Sequence, residues 1–139
     1  MDFEKLVAAA GDAIVVADPQ GKILLWNPAA ERIFGFSATE ALGGSLDLII
    51  PGRFRQRHWE GYDKVMRSGA TRYGADVLRV PALRKDGRPL SIAFTVALLK
   101  DASGRVEAIA AIMRDDTARW SEERNLKKRL AELEARARE

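Results

Sequence analysis

The sequence predicts an α+β domain built on one sheet of five antiparallel strands, with helices over one face and a flanking helix at each end. Three observations lead there. Two short apolar segments joined by a four-residue turn follow the first ten residues, and three longer β-rich segments separated by Asp/Gly turns occupy the second half. Between them lie stretches opened by helix caps and closed by glycine. Beyond residue 117 the pattern changes to leucines spaced among charges. The expected organisation is an amphipathic helix over 1–10, a core domain over 11–116 and a linker helix over 117–139.

Residues 3–10 carry Phe3, Leu6, Val7 and Ala10, a short amphipathic pattern suited to packing on a neighbouring surface. Residues 13–17 form a compact apolar strand. Asp18-Pro19-Gln20-Gly21 suits a type I turn: Asp accepts local hydrogen bonds, Pro presets φ and Gly closes the turn. Residues 22–26 return as a second strand. Asn27-Pro28 is an N-cap followed by proline at the first helical position, so a helix runs to about Phe34 with Ala30, Ile33 and Phe34 inward. Ser37 and Glu40 have capping-box spacing, so a second short helix runs to about Leu42 and ends at Gly43-Gly44.

Asp47-Leu48-Ile49-Ile50-Pro51 reads as a further short turn or helix closed by proline. A longer helix is expected over 52–68, with Gly69 as its C-terminal cap. Strands over 73–83, 89–99 and 106–114 follow, joined by Arg84-Lys85-Asp86-Gly87 and Asp101-Ala102-Ser103-Gly104. Leu126, Leu130, Leu133 and Ala137 then repeat at 4–3–4 spacing, the seam of a two-stranded coiled coil, against the alternative of a single solvated helix.

Composition narrows function. The hydrophobic share of 47% with 31% charged residues is that of an ordinary globular protein. No apolar run approaches the roughly 20 residues that span a bilayer, and no secretory signal opens the chain, so a cytoplasmic location is the expectation. Zero cysteines exclude disulfides, thiolate metal sites and covalent c-type haem. The net charge of +3 points to no nucleic-acid partner, because basic and acidic residues alternate and no recognition motif accompanies them. No nucleophile elbow, phosphate loop or clustered metal motif is present, and Asp86 and Asp101 fall in turns that explain them, so no autonomous catalysis is expected.

His58 is the only histidine. On the helix over 52–68, Phe54, His58, Tyr62 and Val65 fall at i, i+4, i+8 and i+11, one face, while Arg53, Gln56, Arg57, Glu60, Asp63, Lys64 and Arg67 mostly occupy the other. An imidazole on an apolar stripe needs something to bond its nitrogens. Iron coordination is one solution, and a backbone carbonyl or solvent is another.

Four features stand together in order: Trp26-Asn27-Pro28-Ala29-Ala30 with Phe34-Gly35-Phe36; Gly43 before the apolar turn ending in Pro51; Lys85-Asp86-Gly87; and Asp115-Asp116-Thr117. In this order and spacing they resemble a PAS domain, the sensory module of bacterial kinases, cyclases and transcription factors. The last of the four looks like the family's D-x-T element, which joins sheet to output helix, so Asp115 and Thr117 are expected to relay signal. The absence of cysteine sets the chain apart from light-sensing relatives that form a cysteinyl–flavin adduct. The stretch from Ile50 and Pro51 to His58 also resembles the haem-binding PAS domains of rhizobial oxygen-sensor kinases and haem-regulated phosphodiesterases.

That resemblance implies haem b with His58 as axial ligand; the candidate pocket residues beside it are Phe54, Tyr62, Ile50, Leu78, Phe94, Val96 and Ile112. Further candidate lining or core residues are Ile14, Val16, Leu25, Ile33, Phe34, Leu46, Ile49, Val77 and Ile109, with Trp59 and Tyr73 bordering or covering the space. Leu78 stands where the oxygen-sensor kinases carry a distal arginine, Asp76 where the phosphodiesterases carry methionine, and alternation turns Arg79 to the opposite face. A leucine-lined distal side suits carbon monoxide or nitric oxide. PAS domains without haem also carry Arg-x-x-His here, as in Arg55 to His58, so another small ligand and no ligand stay open.

Two functions follow. One is a ligand-sensing module relaying through a C-terminal coiled coil to an output domain in cis. The other is a ligand-free dimerisation module that sets coiled-coil register. In either, the expected partner is a second copy, met through the N-terminal helix, the sheet face and the C-terminal helix.

Overall fold

The computed structural model describes residues 1–71 and 74–138. Helix α1 spans Phe3–Ala9, with the Asp2 carboxylate accepting from the amides of Glu4 and Lys5. Strands β1 (Ala13–Ala17) and β2 (Ile23–Trp26) flank the 18–21 turn, where the Asp18 carboxylate accepts from Gln20 and Lys22, each at 2.9 Å. Helices α2 (Pro28–Phe34) and α3 (Ala38–Ala41) follow, the second opened by the full Ser37/Glu40 capping box. Two 3₁₀ turns, Leu46–Ile49 and Gly52–Phe54, lead into α4 (Arg55–Ser68). Strands β3 (Leu78–Leu83), β4 (Pro89–Lys100) and β5 (Val106–Asp115) complete the sheet, and α5 runs over Thr117–Ala137.

The five strands are antiparallel in the order β2-β1-β5-β4-β3. The first and last halves of the chain thus meet where β1 pairs with β5, Ala13 opposite Met113 and Ala17 opposite Ile109. One face carries the core: Val15, Ile23, Trp26, Ala82, Leu90, Ile92 and Met113 pack with Ala30, Phe34, Ala41 and Ile49 from the helical middle. Phe34 is fully buried. Burying such a ring contributes roughly 2–3 kcal/mol. The free edge of β2 is covered by the chain after α3, with Ile23 donating to Gly44 O and accepting from Gly43 N.

Asn27 organises the entry to α2. It is 3% exposed, and all four hydrogen-bonding positions of its amide are used. Its Oδ1 accepts from the amides of Ile14 (2.9 Å) and Ala30 (3.0 Å), and its Nδ2 donates to the carbonyls of Val7 (3.0 Å) and Asp12 (3.1 Å). At the far end of α2, Gly35 adopts φ +82° and its N–H bonds Glu31 O. The β3–β4 hairpin takes the next carbonyls: Arg84 Nη1 donates to Ile33 O at 2.7 Å and Lys85 N to Phe34 O at 2.8 Å.

Two expected boundaries move. The helix over 52–68 begins at Arg55, because Pro51 first feeds a 3₁₀ turn, closed by Phe54 N to Pro51 O. The third strand begins at Leu78, opposite Phe94; beyond that pair, residues 95–100 of β4 pair with β5 alone. Of the earlier positions expected in that strand, residues 74–77 are outside it and Tyr73 lies outside the described residues. Among the described residues no helix is long and apolar enough to cross a membrane.

Replacing Asn27 by Ala removes a cap and leaves buried main-chain groups unpaired, so it destabilises the fold by roughly 2–4 kcal/mol. A lower urea midpoint with an unchanged m-value is the expected readout, and a midpoint equal to wild type would refute the role of the amide.

Candidate functional site

Helix α4 ends at Gly69, whose φ of +69° and N–H to Val65 O stop it. It is anchored through aromatic side chains to segments far away in sequence. Trp59 lies against Gly21, so close that a Cβ on that residue would sit 2.0 Å from the indole; Gly21 also holds φ +82°. The indole N–H donates to Asp47 Oδ1 at 2.8 Å. The Tyr62 hydroxyl donates to Asp18 O at 2.5 Å, in the same β1–β2 turn. Burial, with the Asp18 charge nearby, pushes the Tyr62 phenol up to about 12, which keeps it a proton donor.

His58 sits against both rings, edge-on to Trp59 at 4.7 Å between centroids and tilted to Tyr62 at 5.7 Å. It is half-buried, and its Nδ1 is fully buried with no protein hydrogen-bond partner. Burial lowers its pKa below the ordinary histidine value, and the negative charge of Asp47 opposes that less strongly. The neutral imidazole is therefore favoured, the form that ligates metals. A buried polar atom without a partner costs about 1–3 kcal/mol, and this one lies on the apolar side of α4.

The sheet contributes a second row. Leu78 faces Phe94 across β3–β4, Phe94 faces Met113 and Val96 faces Ala111, so all share the helix-covered face. Ile50 and Phe94 pack against the core, as do Ile33 and Leu46, while Phe34 and Ile49 belong to it. Phe54 is partly buried at the head of α4, with Arg53 stacked over its ring at 4.6 Å.

Ile112 is a correction. It pairs with Thr95 and with Ile14, one step out of phase with Phe94 and Met113, and strand alternation turns it to the other face, where it is 42% exposed. Met113 takes the inward position. Ile14, Val16 and Leu25 share that outer face, and Val77 is exposed ahead of β3, whereas Ile109 points inward opposite Ala17 and Leu98. Surface depressions lie along α5, lined by Trp120, Ser121, Arg124, Asn125 and Lys128, and between the end of α4 and the β4–β5 turn. Neither adjoins His58.

Asp115 and Thr117 meet at the exit of the sheet. Asp115 Oδ1 accepts from the Thr117 amide at 2.9 Å and from its hydroxyl at 2.6 Å. Thr117 Oγ1 in turn accepts from Ser91 N at 3.1 Å, and Asp116 N donates to Ser91 O at 2.7 Å. The start of α5 is thereby tied to β4 as well as β5.

A sequence profile described as the PAS fold matches residues 7–120. The chain belongs to the PAS fold family. It is thus a PAS domain, a sensory module, and shares its architecture with solved members. The PAS domain of a protein from Colwellia psychrerythraea superposes with a TM-score of 0.70 at 26% identity, covering 84% of this chain and 95% of that one. The Sensor protein FixL of Bradyrhizobium diazoefficiens is 30% identical over 125 residues, 89% of this chain and 23% of FixL. The Oxygen sensor protein DosP of Escherichia coli is 26% identical over 98 residues, 70% of this chain and 12% of DosP. The chain spans less than a quarter of the length of these curated relatives.

Within this PAS domain His58 offers the donor chemistry that haem iron takes, a neutral, half-buried imidazole with one nitrogen unpartnered, beside the rings of Trp59 and Tyr62. In the sequence, Asp18, Gly21 and Asp47 read only as members of short local turns. Their second task, receiving Tyr62 and Trp59, depends on contacts about 12 to 44 residues apart in the chain.

The lowered pKa of His58 has a sign. The folded state binds the proton less well than the unfolded chain, so this contribution to stability is intact above about pH 6.5 and is lost as pH falls below it. Denaturant titrations at about pH 7.5 and pH 5 should therefore show a larger loss on acidification in wild type than in His58→Phe; equal losses would rule the effect out.

Proposed function

We propose that this PAS domain is the input module of a longer signalling protein, taking a small ligand against His58 and passing its state through Asp115 and Thr117 into α5. In this reading residues 11–116 are the sensing body, 1–10 an accessory helix and 117–139 the linker to an output domain in cis, in the cytoplasm. The observation that carries it is the buried, unpartnered Nδ1 of a neutral imidazole on the apolar side of α4. A satisfied core histidine has no such vacancy for a partner.

Haem b is the ligand the donor set favours, with His58 supplying the axial nitrogen. Two relatives, a sensor protein and an oxygen sensor protein, support the same direction. Bound haem would supply an iron position for a diatomic gas. Ile50, Phe54, Leu78, Phe94 and Val96 would exclude water around it. Leu78 offers no hydrogen bond to a bound gas, which suits carbon monoxide or nitric oxide better than oxygen.

A second reading is favoured by a separate observation. Phe3 and Leu6 on α1, Leu126, Leu130 and Leu133 on α5, and Leu99 and Ile112 on the sheet are 42–68% exposed. Such a set suits a ligand-free homodimer whose α5 helices pair along the leucine seam.

Protein purified from haem-replete cells, or given hemin, should show a strong Soret band that His58→Ala loses; a colourless protein that takes up no hemin rejects haem. For the second reading, Leu130→Asp with Leu133→Asp should shift the sedimentation mass from dimer towards monomer, and an unchanged dimer would exclude the α5 seam.

A further inference from the structure

Asp116 immediately precedes α5, where an aspartate ordinarily folds its carboxylate onto the first free amides of the helix. Here it does not: with φ −110° and ψ 14° the side chain makes no capping bond. Its carboxylate turns back to the sheet instead. Oδ2 lies 3.4 Å from Arg79 Nε on β3 and 3.4 Å from Arg119 Nη1 on α5, and the Asp116 side chain is only 12% exposed.

Arg79 reaches it by crossing a neighbouring strand. It pairs with Ala93 of β4, which pairs with Arg114 of β5, and Asp116 follows two residues later. Ala93, which stands between them in the ladder, carries only a methyl group. The other ties of the α5 start, through Ser91, reach β4 alone. Arg79 is also the immediate neighbour of Leu78, which faces the helix-covered side of the same strand.

We infer that the Arg79–Asp116 ion pair is a latch through which edge strand β3 sets how α5 leaves the sheet, making Arg79 a positioning residue for the relay. The inference deepens the signalling reading above and rests on it for its purpose. Exposed ion pairs contribute little. A carboxylate this buried is screened less than an exposed one, and it holds two cations from different elements. A displacement of β3 then reaches α5 directly, without passing through β4 and β5.

Amide hydrogen exchange on the full chain without ligand tests this. The probes are the Trp120 amide, bonded to Asp116 O, and the helical amides of residues 121–123 that follow it. Arg79→Met should speed their exchange roughly 2- to 5-fold, Asp116→Asn should do the same, and Arg79→Lys should restore most of the protection. Raising salt from about 0.05 M to about 0.5 M should speed exchange at these sites in wild type and leave Arg79→Met unchanged. Unchanged exchange in Arg79→Met would overturn the latch. So would equal acceleration across the β4 amides of Ile92 and Phe94, which would make Arg79 a general support of the sheet edge. Because no ligand is present, a failed Soret experiment leaves this result standing, and a failed latch leaves the ligand at His58 untouched.

Discussion

The side-chain amide of Asn27 joins three segments that local structure alone would not bring together. It gathers the end of α1 through Val7 O, the approach to β1 through Asp12 O and Ile14 N, and the first turn of α2 through Ala30 N. Two donors and two acceptors converge on it, so a carboxylate could serve only two of them and a hydroxyl at most three. Once Asn27 sets where α2 starts, the helix length decides where it ends, and its last carbonyls fall beneath Arg84 and Lys85 of the β3–β4 hairpin. The two ends of the sheet are thus fixed relative to each other by one helix and its caps. The same logic repeats on α3, where Glu40 completes the Ser37 capping box and also pairs with Lys85.

Alternation along the strands then divides the molecule. Inward residues join one core cluster, whereas the outward set retains exposed Ile112, Leu99 and Leu24. Helix α4 uses a different attachment: its aromatic side chains lock onto the β1–β2 turn and the Asp47 segment. That attachment has a consequence for His58. Its ring is held by Trp59 and Tyr62, yet neither supplies a partner for Nδ1. The histidine is thus oriented by its neighbours without being hydrogen-bonded by them at Nδ1.

What the sequence makes legible follows the range of the interactions. Caps and turns are local, so Asn27-Pro28, the Ser37/Glu40 box and the Asp/Gly hairpins reveal their elements within a residue or two. Strand order and inward parity are not local. Ile112 and Met113 are equally apolar neighbours, and only the register of β5 against β1 and β4 decides which faces the core. The start of β3 is decided likewise by where its pairing with β4 ends, and residues 74–77 carry no sign of it. At the candidate site, the helical stripe through His58 and Tyr62 is periodic and readable. The hydroxyl of Tyr62 reaching Asp18, and the indole of Trp59 against Gly21, are products of tertiary closure.

The exit from the sheet gathers these constraints. Asp115 and Thr117 bond each other, and Thr117 and Asp116 hold Ser91, so β4 and β5 enter α5 as one unit. A relay confined to that unit would respond only when the two central strands moved together, which their long shared ladder resists. The edge strand β3 is freer, since it is paired on one side only and its ladder with β4 begins at Leu78. Linking β3 to the helix start through Arg79 and Asp116 therefore couples an edge strand to the element that leaves the sheet. Leu78 and Arg79, adjacent in sequence and opposite in face, place the interior and the exit two side chains apart.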